Sequence, residues 1–418
     1  MKSILDILFT IMGILLSRYF ERYSFFSKKE IAKYQTKLIK KQLDYATKNI
    51  SFYKNLNISI KKDPLETLVQ FPVVSKEDII ENPESFRPKK FANYLSSVHF
   101  TSGISGQILK SDCSPFAWIV EQAAIWNHWR SAKYKFRDEM LILRGFNPKE
   151  GEQIYKKNKF RNWLFFSPRH LNEADLDKNI EIIINFCPKF IRGYPSSIKQ
   201  FAIYCFQNDI KFSNLKGIFT ASETLKYEDR VFIEKIFSAP IFDHYGQAEI
   251  TCLFHECNEH KGLHVVPYYG YVEFIPDNLG NFRIVATNLR NKYMPLIRYD
   301  TGDIVENFIN EKCPCSRKTL RISSIKGRGN MMLIDKYNQK FSSTSLITFL
   351  SSFPSLIRFQ IIQKEDSKID FIYLSKQNLD LNKLEKYLKD IFGNKINFKP
   401  NENFYLSKDG KFSSIVII

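Results

Sequence analysis

Glycine is scarce in this chain. Sixteen glycines and sixteen prolines are spread over 418 residues, no tract is of low complexity, and no segment repeats at a fixed period. With 44% hydrophobic and 15% aromatic residues, these absences exclude a disordered chain and imply a globular one with a large interior. The length exceeds what one ordinary core fills, so two domains are expected. Acidic residues are also the minority, 44 against 62 basic ones, for a formal charge of +18. The lysines are scattered along the chain and form no clustered basic and aromatic motif. The charge therefore reads as a generally basic surface, not a nucleic-acid-binding face.

A long apolar run is missing too. The nearest, Ile4 to Leu16, falls short of the roughly 20 residues a spanning helix needs, and Asp6 interrupts it. A basic start before an apolar stretch resembles a signal peptide, but no small-x-small cleavage site follows. Arg18, Arg22, Lys28 and Lys29 come next. Residues 1–28 are read as an apolar helix that docks on the body of the protein or lies on an anionic membrane surface. The expected location is cytoplasmic, with or without membrane association.

Cysteine is sparse and odd in number, seven in all. Cys113, Cys187 and Cys205 stand far apart in apolar surroundings and read as buried thiols. Cys252 and Cys257, then Cys313 and Cys315, form two close pairs. That pattern suits a reducing compartment and a metal better than a disulfide scaffold.

What is present is alternation. Apolar residues Ile31, Leu38, Ile39, Leu43 and Ala46 recur at helical spacing. Ser75, followed by Glu77 and Asp78, marks a helix start. "SSVHF" reads as a strand and Trp118 to Trp129 as a buried helix. Strands and helices then alternate through "PIFDHYG", which argues for α/β layers with parallel strands. After Gly262 the pattern changes to antiparallel hairpins in "LHVVPYYGYVEFI", "NFRIVATNL" and "PLIRYDTGDIVENF". From Gly327 a small α+β unit begins, with a helix at Leu379 to Phe392. The boundaries are thus 1–28, 29–326 and 327–418, with a hinge in "KGRGNMML".

Against that scarcity of glycine, two fall in the six positions of "TSGISG", at 101–106. Glycines let backbone N–H groups approach phosphate oxygens, and hydroxyls add donors. Four further loops carry functional residue types: "ASETL" (221–225), "YGQAE" (245–249), "RYDTGD" (298–303) and "GRGN" (327–330). "DGKF" follows, with Lys411. "CLFHECNEHKGLHV" and "CPC" supply Cys and His donors of the kind that hold zinc in tetrahedral sites.

In this order the motifs resemble those of the adenylate-forming ligases. "GYPSSI", "FDHYGQAE" and "CPC…IKGR" resemble more narrowly the phenylacetate–coenzyme A ligase branch, to which the CapK-like proteins of polysaccharide clusters belong. The resemblance covers nearly the whole chain after about residue 35. It implies a large N-terminal adenylation domain of layered sheets and helices with a β-rich subdomain, plus a small mobile α+β C-terminal domain. It implies that Thr101, Ser102, Gly103, Ser105 and Gly106 hold ATP phosphates, although Gln107 replaces the usual lysine. Ser222 and Glu223 would line the adenine pocket. Tyr245, beside Gly246, would stack near the adenine, and Glu249 would bind Mg²⁺. Asp303 would hold the ribose, Arg328 would reach phosphate or ribose, and Lys411 would stabilise the charge of the adenylation step. Asn330 replaces the usual hinge Asp or Lys. The implied structural zinc site is Cys257, His264, Cys313 and Cys315, with His260 or Cys252 as substitutes. The expected substrates are a carboxylic acid and ATP. The acceptor would be coenzyme A, or an amine or hydroxyl such as one on a sugar.

Overall fold

Local signals in the sequence set the first elements. Ser27 and Glu30 form a reciprocal capping box at the start of helix Lys28–Asn49, and Ser75 and Asp78 form another before helix Lys76–Glu81. Each box satisfies two orphan backbone donors. The computed structural model describes residues 2–89, 97–100, 109–149, 151–276, 281–305, 307–326, 332–350, 353, 355–365, 367–375, 379–400, 404–405 and 414–417.

The chain separates into two compact units that interleave along the sequence. One comprises 1–99, 110–135 and 242–327; the other comprises 100–109, 136–241 and 328–418.

In the first unit, helix Lys2–Glu21 packs along helix Pro115–Ser131. A Cβ at Gly13 would lie 2.4 Å from the Gln122 Cβ, so this close backbone approach requires glycine. Asn127 donates to the Ser17 carbonyl at 2.9 Å, and Glu21 pairs with Arg130 at 3.1 Å and Arg317 at 2.8 Å. The β-rich part has a four-stranded sheet ordered Gly270–Pro276, Phe282–Asn288, Tyr299–Val305, Ile325–Lys326. A second set of antiparallel ladders runs Phe308–Ile309, Arg321–Ile322, Leu263–Val265, Leu253–Glu256, then His244 to Gly246. Phe254, Leu263, Ile284, Ala286 and Ile322 share one core between them.

In the second unit, Gly217–Ala221, Phe190–Gly193, Met140–Leu143 and Trp163–Phe166 lie side by side in parallel, and Tyr155–Asn158 closes the edge antiparallel. Helices Glu173–Phe186, Pro195–Gln207 and Tyr227–Phe237 supply the rest of this core. The alternation expected from the sequence is thus a parallel sheet. Helix Glu173–Phe186 ends at Cys187 in a left-handed conformation, and Cys187 is exposed. The reading of Cys187 as buried is therefore corrected: its apolar neighbours belong to a helix that stops there, ahead of Pro188. The C-terminal stretch forms a mixed sheet ordered Ile396–Pro400, Ile369–Ser375, Leu356–Gln363, Ile415–Ile417 with its own apolar core. Within this unit the Arg169 guanidinium lies 4.5 Å from the Tyr387 ring centre. Among the described residues, no helix is long and apolar enough to cross a membrane.

Candidate active site and metal centre

Two motifs far apart in sequence are laced together in the first unit. Tyr245 is the penultimate residue of strand Ile241–Gly246, and its hydroxyl donates to Asp303 Oδ2 at 2.7 Å. In return Tyr299, the second residue of "RYDTGD", donates to Glu249 Oε1 at 2.6 Å. Each loop thus lends a tyrosine to the other's carboxylate. Glu249 and Tyr299 are both buried. Burial and the adjacent Asp303 carboxylate push the Tyr245 phenol well above its ordinary pKa, so it remains a donor.

The turn chemistry supports this arrangement. Gly302 has φ +72° and donates to Asp300 Oδ1 at 2.9 Å, while the Asp303 N–H donates to Thr301 Oγ1 at 3.1 Å. Gln247 donates to the Tyr245 hydroxyl at 2.7 Å and accepts from Thr251 at 2.6 Å. The role of Tyr299 was not read from the sequence, although it lies inside a quoted motif. Gln247 was also missed. Gly246, next to Tyr245, is exposed.

Ser222 and Glu223 lie in the second unit. Ser222 holds φ +71° after strand Gly217–Ala221, a left-handed conformation that costs a non-glycine residue on the order of 1 kcal/mol. Its hydroxyl accepts from Arg144 at 3.1 Å. Glu223 accepts from the Ser196 N–H at 3.0 Å, at the start of helix Pro195–Gln207, where a carboxylate is favoured. Thr101, Ser102, Gly103, Ser105, Gly106, Gln107, Arg328, Asn330 and Lys411 lie outside the described residues.

The structure brings Cys257, His264, Cys313 and Cys315 together. One donor atom from each lies within 4.8 Å of the others. Cys257 Sγ is 3.6 Å from Cys313 Sγ, and Cys315 Sγ is 3.4 Å from His264 Nε2. A zinc tetrahedron with ordinary bond lengths has edges of about 3.8 Å between sulfurs and about 3.5 Å between sulfur and nitrogen. The donor set therefore fits zinc in type and spacing. Burial lowers the His264 pKa to about 3, which keeps the imidazole neutral. Its Nδ1 sits 3.2 Å from Thr319 Oγ1, a contact that orients the ring as outer partners of metal-bound histidines do. Burial raises the Cys257 thiol to about 12. Burial also opposes the Cys315 thiolate, but hydrogen bonds from Arg317 and Cys313 outweigh it and lower that thiol. The two substitutes are engaged elsewhere. Cys252 accepts from Gln247 at 3.2 Å, and His260 Nδ1 lies 3.4 Å from Glu256.

No family model matches the chain. Protein CapK of Staphylococcus aureus is 25% identical over 392 residues, 89% of this chain and 84% of that protein. Phenylacetate-coenzyme A ligase of Thermus thermophilus is 22% identical over 360 residues, covering 80% and 79% respectively. Among solved structures, 2-hydroxyisobutyryl-CoA ligase in its postadenylation state with R3-HIB-AMP matches with a TM-score of 0.60 at 15% identity, over 95% of this chain and 92% of that one. An open conformation of the same ligase, in complex with 2-HIB-AMP and CoA, matches with a TM-score of 0.60 at 16% identity, over 95% and 93%. In sequence the chain is thus similar to CapK and to phenylacetate-coenzyme A ligase, and its fold is that of the adenylate-forming ligases.

Proposed function

We propose that the protein is an ATP-dependent carboxylate ligase that works through an acyl-adenylate. The observation that carries this reading is the reciprocal pairing of Tyr245 with Asp303 and Tyr299 with Glu249. These carboxylates are the two for which the superfamily resemblance names a magnesium and a ribose role. A carboxylate has about four lone-pair sites, so one bond from Tyr245 leaves Asp303 able to accept from ribose hydroxyls. Glu249, with one oxygen anchored by Tyr299, offers the hard oxygen donor that Mg²⁺ prefers. Bound there, the cation would neutralise phosphate charge.

In the first half-reaction a carboxylate oxygen of the acid bonds to the α-phosphorus of ATP. The bond from that phosphorus to the bridging oxygen breaks, and pyrophosphate leaves with the electron pair. In the second, the acceptor's nucleophile attacks the acyl carbon, loses its proton, and AMP departs. Residues 101–106 and Arg328 would hold phosphates, Ser222 and Glu223 the adenine, and Lys411 the charge growing at the α-phosphate. Cys257, His264, Cys313 and Cys315 would hold one structural zinc. Coenzyme A is the acceptor favoured by the likeness to two CoA ligases. The likeness to CapK keeps an amine or hydroxyl acceptor, as on a sugar in polysaccharide assembly, as the second reading.

The test is pyrophosphate release from MgATP with a panel of carboxylic acids, followed by transfer to coenzyme A. Acid-dependent release, with AMP formed in step on acceptor addition, is the expected result. ATP binding with no release for any acid would instead favour a nucleotide-binding descendant, in keeping with Gln107 and Asn330.

A further inference from the structure

The N-terminal helix Lys2–Glu21 is inverted relative to an ordinary surface helix, whose apolar stripe faces the core. The face against the protein is mostly small and polar: Thr10 and Ser17 are each 2% exposed, Gly13 meets the neighbouring helix, and Phe20, stacked on Tyr268, adds one large ring at its end. The outward face is large and apolar. Leu8 is 49% exposed, Leu15 is 73% exposed, and Ile11, Met12 and Tyr19 stand beside them. These residues fall at positions i, i+3, i+4, i+7 and i+11, one continuous stripe of a helix.

The charges around the stripe identify what covers it. Arg18, Arg22, Lys28 and Lys29 are exposed at its C-terminal end. Among the described side chains of this helix the one acid is Glu21, and Arg130 and Arg317 tie it inward. We propose that this face docks the protein on an anionic membrane surface, with the apolar stripe in the headgroup boundary and the cationic end against lipid phosphates. A second copy is disfavoured because each chain carries a formal charge of +18. Amphipathic helices with an apolar face and flanking Lys or Arg bind membranes by these two terms together, and each cation near the surface adds about fivefold in binding. The helix carries too short an apolar run to span, so the contact is peripheral and leaves the candidate active site on the aqueous side.

Flotation of the full chain with vesicles tests the proposal. Wild type should float with vesicles of phosphatidylcholine and phosphatidylglycerol and stay unbound with phosphatidylcholine alone. Ile11→Ser with Leu15→Ser should weaken that binding by roughly tenfold or more. Arg18→Gln with Arg22→Gln should weaken it by roughly twentyfold at low salt, and less at high salt. All four positions are exposed, and unchanged circular dichroism and ATP binding would show that the variants fold. Failure of wild type to float with anionic vesicles would overturn the proposal. So would equal flotation of wild type and both variants, or a wild-type dimer in solution that Ile11→Ser with Leu15→Ser converts to monomer.

Discussion

Deleting one oxygen from Tyr299 isolates what that residue does for Glu249. Tyr299→Phe keeps the buried ring and removes the 2.6 Å bond that holds the carboxylate. A hydrogen bond to a charged group contributes about 1.5–3 kcal/mol. The expected outcome is a rise of roughly tenfold or more in the Mg²⁺ concentration needed for half-maximal adenylation, with the rate restored at saturating Mg²⁺. Glu249→Gln should stay inactive at any Mg²⁺ concentration. A magnesium titration of pyrophosphate release distinguishes the two variants; an unchanged requirement in Tyr299→Phe would remove it as a positioning residue. The pair also marks the limit of sequence reading. Glu249 and Asp303 stand out as candidates in the sequence because an acid in a recognisable loop suggests its chemistry. Tyr299 was not, because its partner lies fifty residues away and only the fold sets them together.

Elements were read best where the signal is local. The Ser75 cap needs only Asp78 three residues on, and both are in place. The Cys/His cluster was anticipated from a tight C-x-C, a donor-rich hairpin and the resemblance, which implied the four ligands that the fold brings together. Which face of the N-terminal helix would pack was not legible. An apolar count gives no hint that Gly13, Thr10 and Ser17 form the packed side, since that follows from how closely helix Pro115–Ser131 approaches. The metal prediction belongs to this scale, because the donors join strands that lie apart in sequence. Elemental analysis of untagged protein should find one zinc per chain. Cys313→Ser should lose it. A ligand held at about a thousand times its dissociation constant stabilises the folded state by about 4 kcal/mol, and the variant should lose stability of that order in chemical denaturation. Its ATP affinity should change little. Wild type without metal would refute the assignment.

At the scale of the molecule, the C-terminal stretch, part of the second unit, is where the resemblance would have chemistry and conformational change meet. Its apolar core is separate from that of the parallel sheet. By the superfamily resemblance, Lys411 would act only in an arrangement that brings it to the α-phosphate. A contact that strengthens in the transition state lowers the barrier without tightening ground-state binding. Lys411→Ala should therefore slow single-turnover acyl-adenylate formation by on the order of a hundredfold. ATP binding and acyl transfer from synthetic acyl-adenylate should be spared. Equal losses in both half-reactions would indicate a folding defect, and an unchanged adenylation rate would show that Lys411 has no part in that step.

The interleaving of the two units also has a consequence for biosynthesis. The first unit lacks its last stretch, 242–327, until about 190 residues after Lys135 have been translated. At ordinary ribosome speeds that is a wait of roughly 10–40 s. Tyr53, fully buried, hydrogen-bonds the backbone of Ile297, a partner 244 residues downstream. During the wait its ring can meet Phe52, Phe71 and Phe86, but its hydroxyl and the first-unit side chains that pack on 242–327 have no permanent partner on the nascent chain. They are the surface a ribosome-associated chaperone would be expected to hold, and a pause in translation before residue 327 would lengthen their exposure.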